Sequence, residues 1–157
     1  MPPALDIGAS AENIPCPDKE FDVVTSIDMM EHVPQSIRMK VLREFIGVAG
    51  HAFIIIASQD TAENKQAEEM VLKHENNRFL IEHRQHGLVD FNQIINELDE
   101  LQKQGEIKNY RVHKLDNLLT LVCLMLEDSL SSSEIIEEAN IFENEFHARR
   151  LALIIEK

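Results

Sequence analysis

Two short runs with the character of strands enclose a segment of helical periodicity near the start of the chain. Phe21 to Ser26 follows a turn at Pro15 to Asp18, and Ala52 to Ala57 is apolar throughout. The apolar residues between them fall on one helical face: Ile37, Val41, Leu42, Phe45 and Val48. Proline is tolerated before a strand, and a fully apolar run suits an interior parallel strand. The pattern predicts two parallel strands joined by a right-handed crossover helix at Ser36 to Ala49, which ends at Gly50.

The rest of the chain continues the alternation of helical and strand patterns. Asp90 with Gln93 has the form of a capping box, and an apolar stripe at helical spacing follows until Gly105. Strands are predicted at 110–114 and 151–155, helices at 62–73, 77–85 and from 134 to about 146, and an apolar segment at 118–126. This order of elements predicts an α/β fold with covering helices, organised as a single domain over residues 1–157.

The charge balance excludes several classes of partner. The chain has 157 residues, with 15 lysines and arginines against 28 acidic residues and a formal net charge of -13. This charge repels phosphate backbones and anionic membrane surfaces. Cys16 and Cys123 are far apart in the sequence, and no run of about eighteen apolar residues occurs. We therefore expect a soluble cytoplasmic protein that binds neither nucleic acid nor membranes.

The most specific feature is the stretch from Ala11 to Pro34. It contains Ala11-Glu12-Asn13-Ile14-Pro15, then Phe21-Asp22-Val23-Val24, then Asp28-Met29-Met30-Glu31-His32-Val33. In order and spacing these pieces resemble the middle of the class I S-adenosylmethionine-dependent methyltransferases of type 11, where such segments surround one strand. The resemblance covers Ile7 to Ala57 well. Beyond that it extends only to the order of elements, including a final strand, here Leu151 to Ile155, inserted antiparallel beside the second strand.

The resemblance implies a Rossmann-like methyltransferase fold with a truncated, mostly parallel sheet flanked by helices. The family's glycine-rich D-x-G-x-G-x-G loop would lie upstream of Ala11, and the chain has no room for it. An alternative alignment places Leu5 to Ser10 on the first half of that loop. That alignment lacks the second glycine and leaves only ten residues between Ser10 and Phe21. We therefore expect a methyltransferase-like domain that lacks the family's first strand-helix units.

The resemblance also assigns cofactor positions. Ser10 and Ala11 take the place beside the adenine, and Ser26, Ile27 and Asp28 face the methionine part of the cofactor. The implied cofactor is S-adenosylmethionine. We expect weak or absent binding in this chain, because the loop that lets the backbone approach the ligand closely is missing or degraded.

His32 matches the family's histidine at the start of the next helix and is the candidate catalytic base. Asp28, Glu31 and His32 also suggest a metal trio. Carboxylates at a helix start complement its dipole in any case, and we predict no metal. His83 and His86 lack a third nearby ligand and are interpreted as a solvated helix end.

These features predict a methyltransferase, or a fragment of one, that transfers a methyl group from S-adenosylmethionine to an unidentified acceptor. The alternative is a catalytically inactive methyltransferase-like module that binds or assembles with a partner. Without the family's first strands, one side of the strand opened by Phe21 is uncovered, and an exposed apolar edge pairs readily with another chain. We therefore expect a homodimer, unless a short strand around Leu5 to Ala9 covers this edge.

Overall fold

Four strands and five helices make up the part of the chain that the structure, a computed structural model, describes: residues 8–126, 129–131, 133, 134, 137 and 148–157. The strands are β1 (Phe21–Ile27), β2 (Ala49–Ser58), β3 (Asn109–Asn117) and β4 (Ala148–Glu156). The helices are α1 (Arg38–Val48), α2 (Ala62–His74), α3 (Arg78–His86), α4 (Phe91–Lys103) and α5 (Leu118–Leu126). Two short 3-10 turns, Met30–His32 and Gln35–Ile37, lead from β1 into α1.

The strands lie side by side in the order β1, β2, β4, β3. β1 and β2 are parallel, with Val24 beside Phe53 and Ile27 beside Ile56, and β4 is antiparallel to both of its neighbours. The α/β fold class, the parallel pair and the antiparallel insertion of Leu151 to Ile155 are confirmed. β1, β2 and β3 run in one direction, so the sheet is mostly parallel in strand direction. Two of its three pairings are nevertheless antiparallel, because the reversed strand lies inside the sheet.

Gly50 lies inside β2, so its predicted role as the end of the helix is wrong. α1 ends at Val48 and β2 begins immediately at Ala49. A Cβ atom on Gly50 would lie 3.2 Å from the carbonyl oxygen of Phe21 and 3.3 Å from that of Lys19. The start of β1 and the residues just before it come this close to Gly50 because Phe21 is the register partner of Ala49. Glycine is needed here for the approach of two backbones.

The main core lies between one face of the sheet and the helices α1 and α4. Its central side chains come from alternate positions of β2 and β4 and from the apolar stripes of the two helices: Phe53, Ile55, Leu153, Ile155, Val41, Leu42, Ile46, Ile94, Leu98 and Leu101. Asp90 caps α4 by accepting from the backbone N–H of Asn92 at 3.0 Å. Burying each large side chain contributes about 1.5–3 kcal/mol, which makes this face the principal source of stability.

A second apolar cluster joins α2, α3 and α5. It consists of Ala67, Met70, Val71, Leu80, Leu118, Leu121, Val122 and Leu126. α2 begins shortly after β2 ends and α5 directly follows β3, so the cluster is tied to the ends of these strands. The apolar segment 118–126 is therefore largely core, although Leu124 is 63% exposed. No helix of the described residues is long and apolar enough to cross a membrane.

β1 forms one edge of the sheet, and no other described strand pairs with its outer side. Val23 and Ile27 point away from the main core and are 51% and 56% exposed. Gly8 and Ala9 are not in a strand, and the rest of the predicted N-terminal strand lies outside the described residues. Most of the predicted polar helix up to residue 146 also lies outside them.

Replacing Gly50 with alanine should lower the free energy of unfolding by about 1–3 kcal/mol, because the methyl group meets backbone oxygens that cannot rotate away. The matched control is Gly47→Ala in α1, where the nearest atom to a Cβ is Asp18 Oδ1 at 3.7 Å. Alanine is the better helix former by about 1 kcal/mol, so this change should be neutral or stabilising. Urea unfolding followed by circular dichroism measures both, and equal effects would contradict the role of Gly50.

Candidate active site

One end of each of the four strands lies in a row along the same side of the sheet. We call this row of strand ends the carboxyl edge. It contains the carboxyl ends of β1, β2 and β3 and the amino end of β4, because β4 is reversed. Open α/β sheets bind ligands outside the carboxyl ends of their strands. The predicted residues Ile27, Asp28 and His32 all lie at the end of β1 or just beyond it.

Arg150 joins two aspartates across the carboxyl edge. Its Nη1 donates to Asp28 Oδ2 at 2.6 Å, and its Nε donates to Asp116 Oδ2 at 2.5 Å. Both aspartates have left-handed backbones, with φ of 47° for Asp28 and 52° for Asp116, a conformation that aspartate tolerates better than most residues. Burial alone would lower the pKa of Arg150, but the hydrogen bonds and charges of Asp116 and Asp28 raise it. Asp28 is therefore held in place and its charge is largely balanced.

In the turn after β1, Glu31 and His32 form hydrogen bonds with different parts of the structure. Glu31 is 1% exposed, and its Oε1 accepts from the backbone N–H of Ser58 at the end of β2, at 3.0 Å. His32 is half-buried, and its Nδ1 lies 2.8 Å from Glu82 Oε2 on α3. Since a carboxylate only accepts, Nδ1 carries the proton and Nε2 is the basic nitrogen. The geometry leaves His32 able to take a proton through Nε2.

A second histidine lies against the first. His83 is buried, its Nδ1 is 2.8 Å from Glu68 Oε1 on α2, and its ring centroid is 4.8 Å from that of His32. Phe79 meets the His32 ring edge-on at a centroid distance of 5.8 Å. The interpretation of His83 as part of a solvated helix end is wrong, because this side of α3 packs against α2 and the turn after β1. Sequence spacing did not identify its partner, which lies fifteen residues upstream.

A cavity of about 260 Å³ opens between the carboxyl edge and the helices α3 and α5. Its wall includes Asp28, Glu31, His32, Phe79, His83 and Met125. A smaller cavity of about 180 Å³ shares Leu80 and His83 with it and continues toward α2. In the described ranges, no group of three or more histidine, cysteine, aspartate or glutamate side chains is arranged to hold a metal ion.

A buried arginine that the sequence analysis missed forms hydrogen bonds with backbone segments close to the two cavities. Arg38, the first residue of α1, is 3% exposed. Its guanidinium donates to the carbonyl oxygens of Val33 at 2.9 Å, Leu88 at 2.8 Å and His86 at 3.1 Å, and also to that of Gly87. Burial lowers the pKa of Arg38, against the nearby acidic charges. The sequence signal that could have identified Arg38 is its position within the apolar stripe of an amphipathic helix.

The remaining predicted cofactor residues lie in different surroundings. Ser10 is exposed and forms a short bridge with Asn13, while Ala11 packs against the main core. Ser26 is 3% exposed, and its side chain points to the core face, away from the exposed Ile27. Ser26 can therefore offer its backbone to a ligand at this edge but not its hydroxyl group.

Comparisons with known proteins give a family for the N-terminal third of the chain. The family described as a methyltransferase domain matches residues 4–51, which include β1 and the turn carrying Glu31 and His32. No curated protein sequence matches the chain. The resemblance to the class I methyltransferases is confirmed.

Solved structures show the same fold. An S-adenosylmethionine-dependent methyltransferase from Archaeoglobus fulgidus superposes with a TM-score of 0.54 at 15% identity, covering 90% of this chain and 61% of that protein. The YcgJ protein from Bacillus subtilis gives 0.51 at 14% identity, covering 95% and 69%. The chain thus spans less than two thirds of the first protein's length, and both likenesses concern the fold.

Changing Arg38 to lysine should lower the free energy of unfolding by about 2–4 kcal/mol, because one ammonium group cannot reach all four carbonyl oxygens around the guanidinium. Arg43→Lys, on the same helix, is the control: Arg43 is 54% exposed and pairs with Glu97. The control should cost no more than about 0.5 kcal/mol. Urea unfolding measures both, and a similar loss for the two variants would contradict the role of Arg38.

Proposed function

We propose that this chain acts as an S-adenosylmethionine-dependent methyltransferase on a small-molecule acceptor. The observation that carries the proposal is the turn Asp28 to His32, placed at the carboxyl edge beside a cavity and within the segment matched by the methyltransferase family. In the proposal, the free thiols of Cys16 and Cys123 fit a reducing cytoplasm.

The cofactor positions of the proposal are Ser10 and Ala11 for the adenine and Ser26, Ile27 and Asp28 for the methionine part. The fit is partial. Asp28 offers a carboxylate to an ammonium group and Ile27 an exposed apolar side chain, but Asp28 already pairs with Arg150, and the Ser26 hydroxyl faces the core. When bound, the cofactor supplies the electrophilic methyl group.

His32 has the role of base in this proposal. Its hydrogen bond with Glu82 orients the imidazole and stabilises the imidazolium that forms when Nε2 takes a proton. The neighbouring ring of His83 and the edge of Phe79 restrict its rotation. A change at His32 should therefore affect turnover more than affinity.

We expect S-adenosylmethionine and S-adenosylhomocysteine to bind with a dissociation constant of about 1 mM or weaker, because only part of the hydrogen-bonding partners is in place. Asp28→Asn should weaken this binding by about tenfold or more, since it removes the charge opposite the ammonium group. Saturation-transfer NMR detects ligands in this range, and calorimetry covers tighter binding.

The control for Asp28→Asn is Asp22→Asn, at the opposite end of β1, where the carboxylate is 92% exposed. It should leave the saturation-transfer signal unchanged. Absence of any signal for either ligand at about 10 mM, or equal losses in both variants, would count against the proposed function. A micromolar constant would contradict only the expected weakness and would indicate a working cofactor loop at Asp6 to Ser10.

The second candidate is the inactive binding or assembly module, which the outer side of β1 favours, because no strand among the described residues pairs with it. Unpaired backbone groups and exposed apolar side chains on an edge strand provide a template for another strand. Because Val23 and Ile27 are both more than half exposed, pairing through β1 would bury apolar surface as well as form hydrogen bonds. A second copy of the chain is the partner that we propose.

The chain should therefore sediment as a dimer at about 50 µM. Val23→Lys should shift it toward the monomer, because a lysine on an edge strand opposes pairing. Leu124→Lys is the control, since Leu124 is 63% exposed and lies on α5, which packs mainly against α2, β3 and β4 and is not a strand neighbour of β1. Analytical ultracentrifugation decides between a dimer and a monomer. A monomeric wild-type chain, or equal responses of the two variants, would exclude pairing through β1.

A further inference from the structure

One carboxylate group in the wall of the larger cavity has an oxygen without a hydrogen-bond donor among the described residues. Glu31 is 1% exposed, and its Oε1 accepts from the backbone N–H of Ser58. Its Oε2 is buried and has no partner among the residues that the structure describes, although Glu31 lines the cavity of about 260 Å³. A buried acceptor without a donor is unfavourable, so a molecule that donates to Oε2 gains binding energy there.

The cations around Glu31 do not supply this donor. Arg38 directs its guanidinium to backbone carbonyl groups, and Arg150 directs its own to two aspartates. His32 and His83 each bond a separate carboxylate through Nδ1. The donor groups of these four side chains that the structure shows bonded go to other acceptors, so Glu31 Oε2 is left to accept from a molecule in the cavity.

We infer that the larger cavity binds a small organic amine whose N–H group donates to Glu31 Oε2. The inference rests on the proposed function, in which this amine is the methyl acceptor. Phe79, Leu80 and Met125 line the same cavity and suit the hydrocarbon part of such a molecule. The net charge of -13 also attracts cations over anions.

Arg149 is the feature that opposes this choice. It lines the cavity, and its buried Nε has no hydrogen-bond partner among the described residues. An anionic ligand would bind there. The amine is favoured because Glu31 is almost fully buried and its free oxygen is a fixed acceptor, whereas Arg149 is partly exposed. Binding at Glu31 favours a cationic probe, whereas binding at Arg149 favours an anionic one. Probes that differ mainly in charge therefore distinguish the two.

Three probes of nearly equal size test the inference: 2-phenylethylamine, 2-phenylethanol and phenylacetate. Chain labelled with ¹³C-methyl methionine reports binding through the Met125 signal, which a Met125→Leu variant assigns. Titration of this signal gives a dissociation constant for each probe. The constant of the amine should be at least about tenfold lower than that of the alcohol, and phenylacetate should bind most weakly. Tightest binding of phenylacetate, equal binding of all three probes, or no shift with any probe up to about 10 mM would overturn the inference.

Glu31→Gln keeps the side-chain shape and an acceptor for the Ser58 N–H but removes the charge. This variant should weaken binding of the amine by at least about tenfold and leave binding of the alcohol nearly unchanged. The control is Glu69→Gln, which removes one charge from a carboxylate that is 66% exposed beside the smaller cavity. An unchanged amine affinity in Glu31→Gln overturns the inference. If this variant does not fold, the ranking of the three probes on the wild-type chain remains decisive.

The probe titrations contain no S-adenosylmethionine, so they separate this inference from the proposed function. Amine binding through Glu31 without any cofactor binding would support the cavity assignment and count against methyl transfer. Cofactor binding that depends on Asp28, with no preference for the amine, would leave the proposed function in place and remove the amine as its acceptor.

Discussion

The buried guanidinium of Arg38 is the interaction on which the geometry of the site depends. It lies at the start of α1 and gathers the carbonyl groups of the turn after β1 and of the segment between α3 and α4. Two of these carbonyl groups belong to the buried residues Val33 and Leu88. Their shared donor keeps α3 against the turn that carries His32, which brings His83 to its neighbouring position. A positively charged fork suits this place because it can serve several carbonyls in one plane.

At the carboxyl edge, each of five acidic groups has a hydrogen-bond partner. Asp28 and Asp116 share Arg150, Glu31 bonds the backbone of β2, and Glu82 and Glu68 each hold one histidine. Five carboxylates in one region of a chain with a net charge of -13 would repel one another without such partners. The second oxygen of Glu31 departs from this pattern, because it has no partner among the described residues, and Glu31 lines the cavity.

The two walls of the cavity have different origins in the sequence. Asp28, Glu31 and His32 lie within residues 4–51, the segment matched by the methyltransferase family. Phe79, His83 and Met125 lie on α3 and α5, outside that segment. The family segment therefore carries the wall with the proposed base and cofactor contacts, and the helical cluster shapes the opposite wall. In the proposed function, Glu31 binds the amine of the acceptor, and the helices of the opposite wall contact its hydrocarbon part.

The sequence by itself determined the parallel pair and the helices α2 to α4, because apolar periodicity and turn residues act locally. The antiparallel insertion of β4 was implied by the resemblance to the methyltransferase family. The sequence also singled out Asp28, Glu31 and His32 through a short motif. Only the tertiary structure decided what these side chains meet, since Arg150 is 122 positions from Asp28 and Glu82 is 50 from His32. The burial of Arg38 and His83 and the close backbone approach at Gly50 were decided in the same way. Such contacts arise from the packing of distant elements, and no local pattern of residues encodes them.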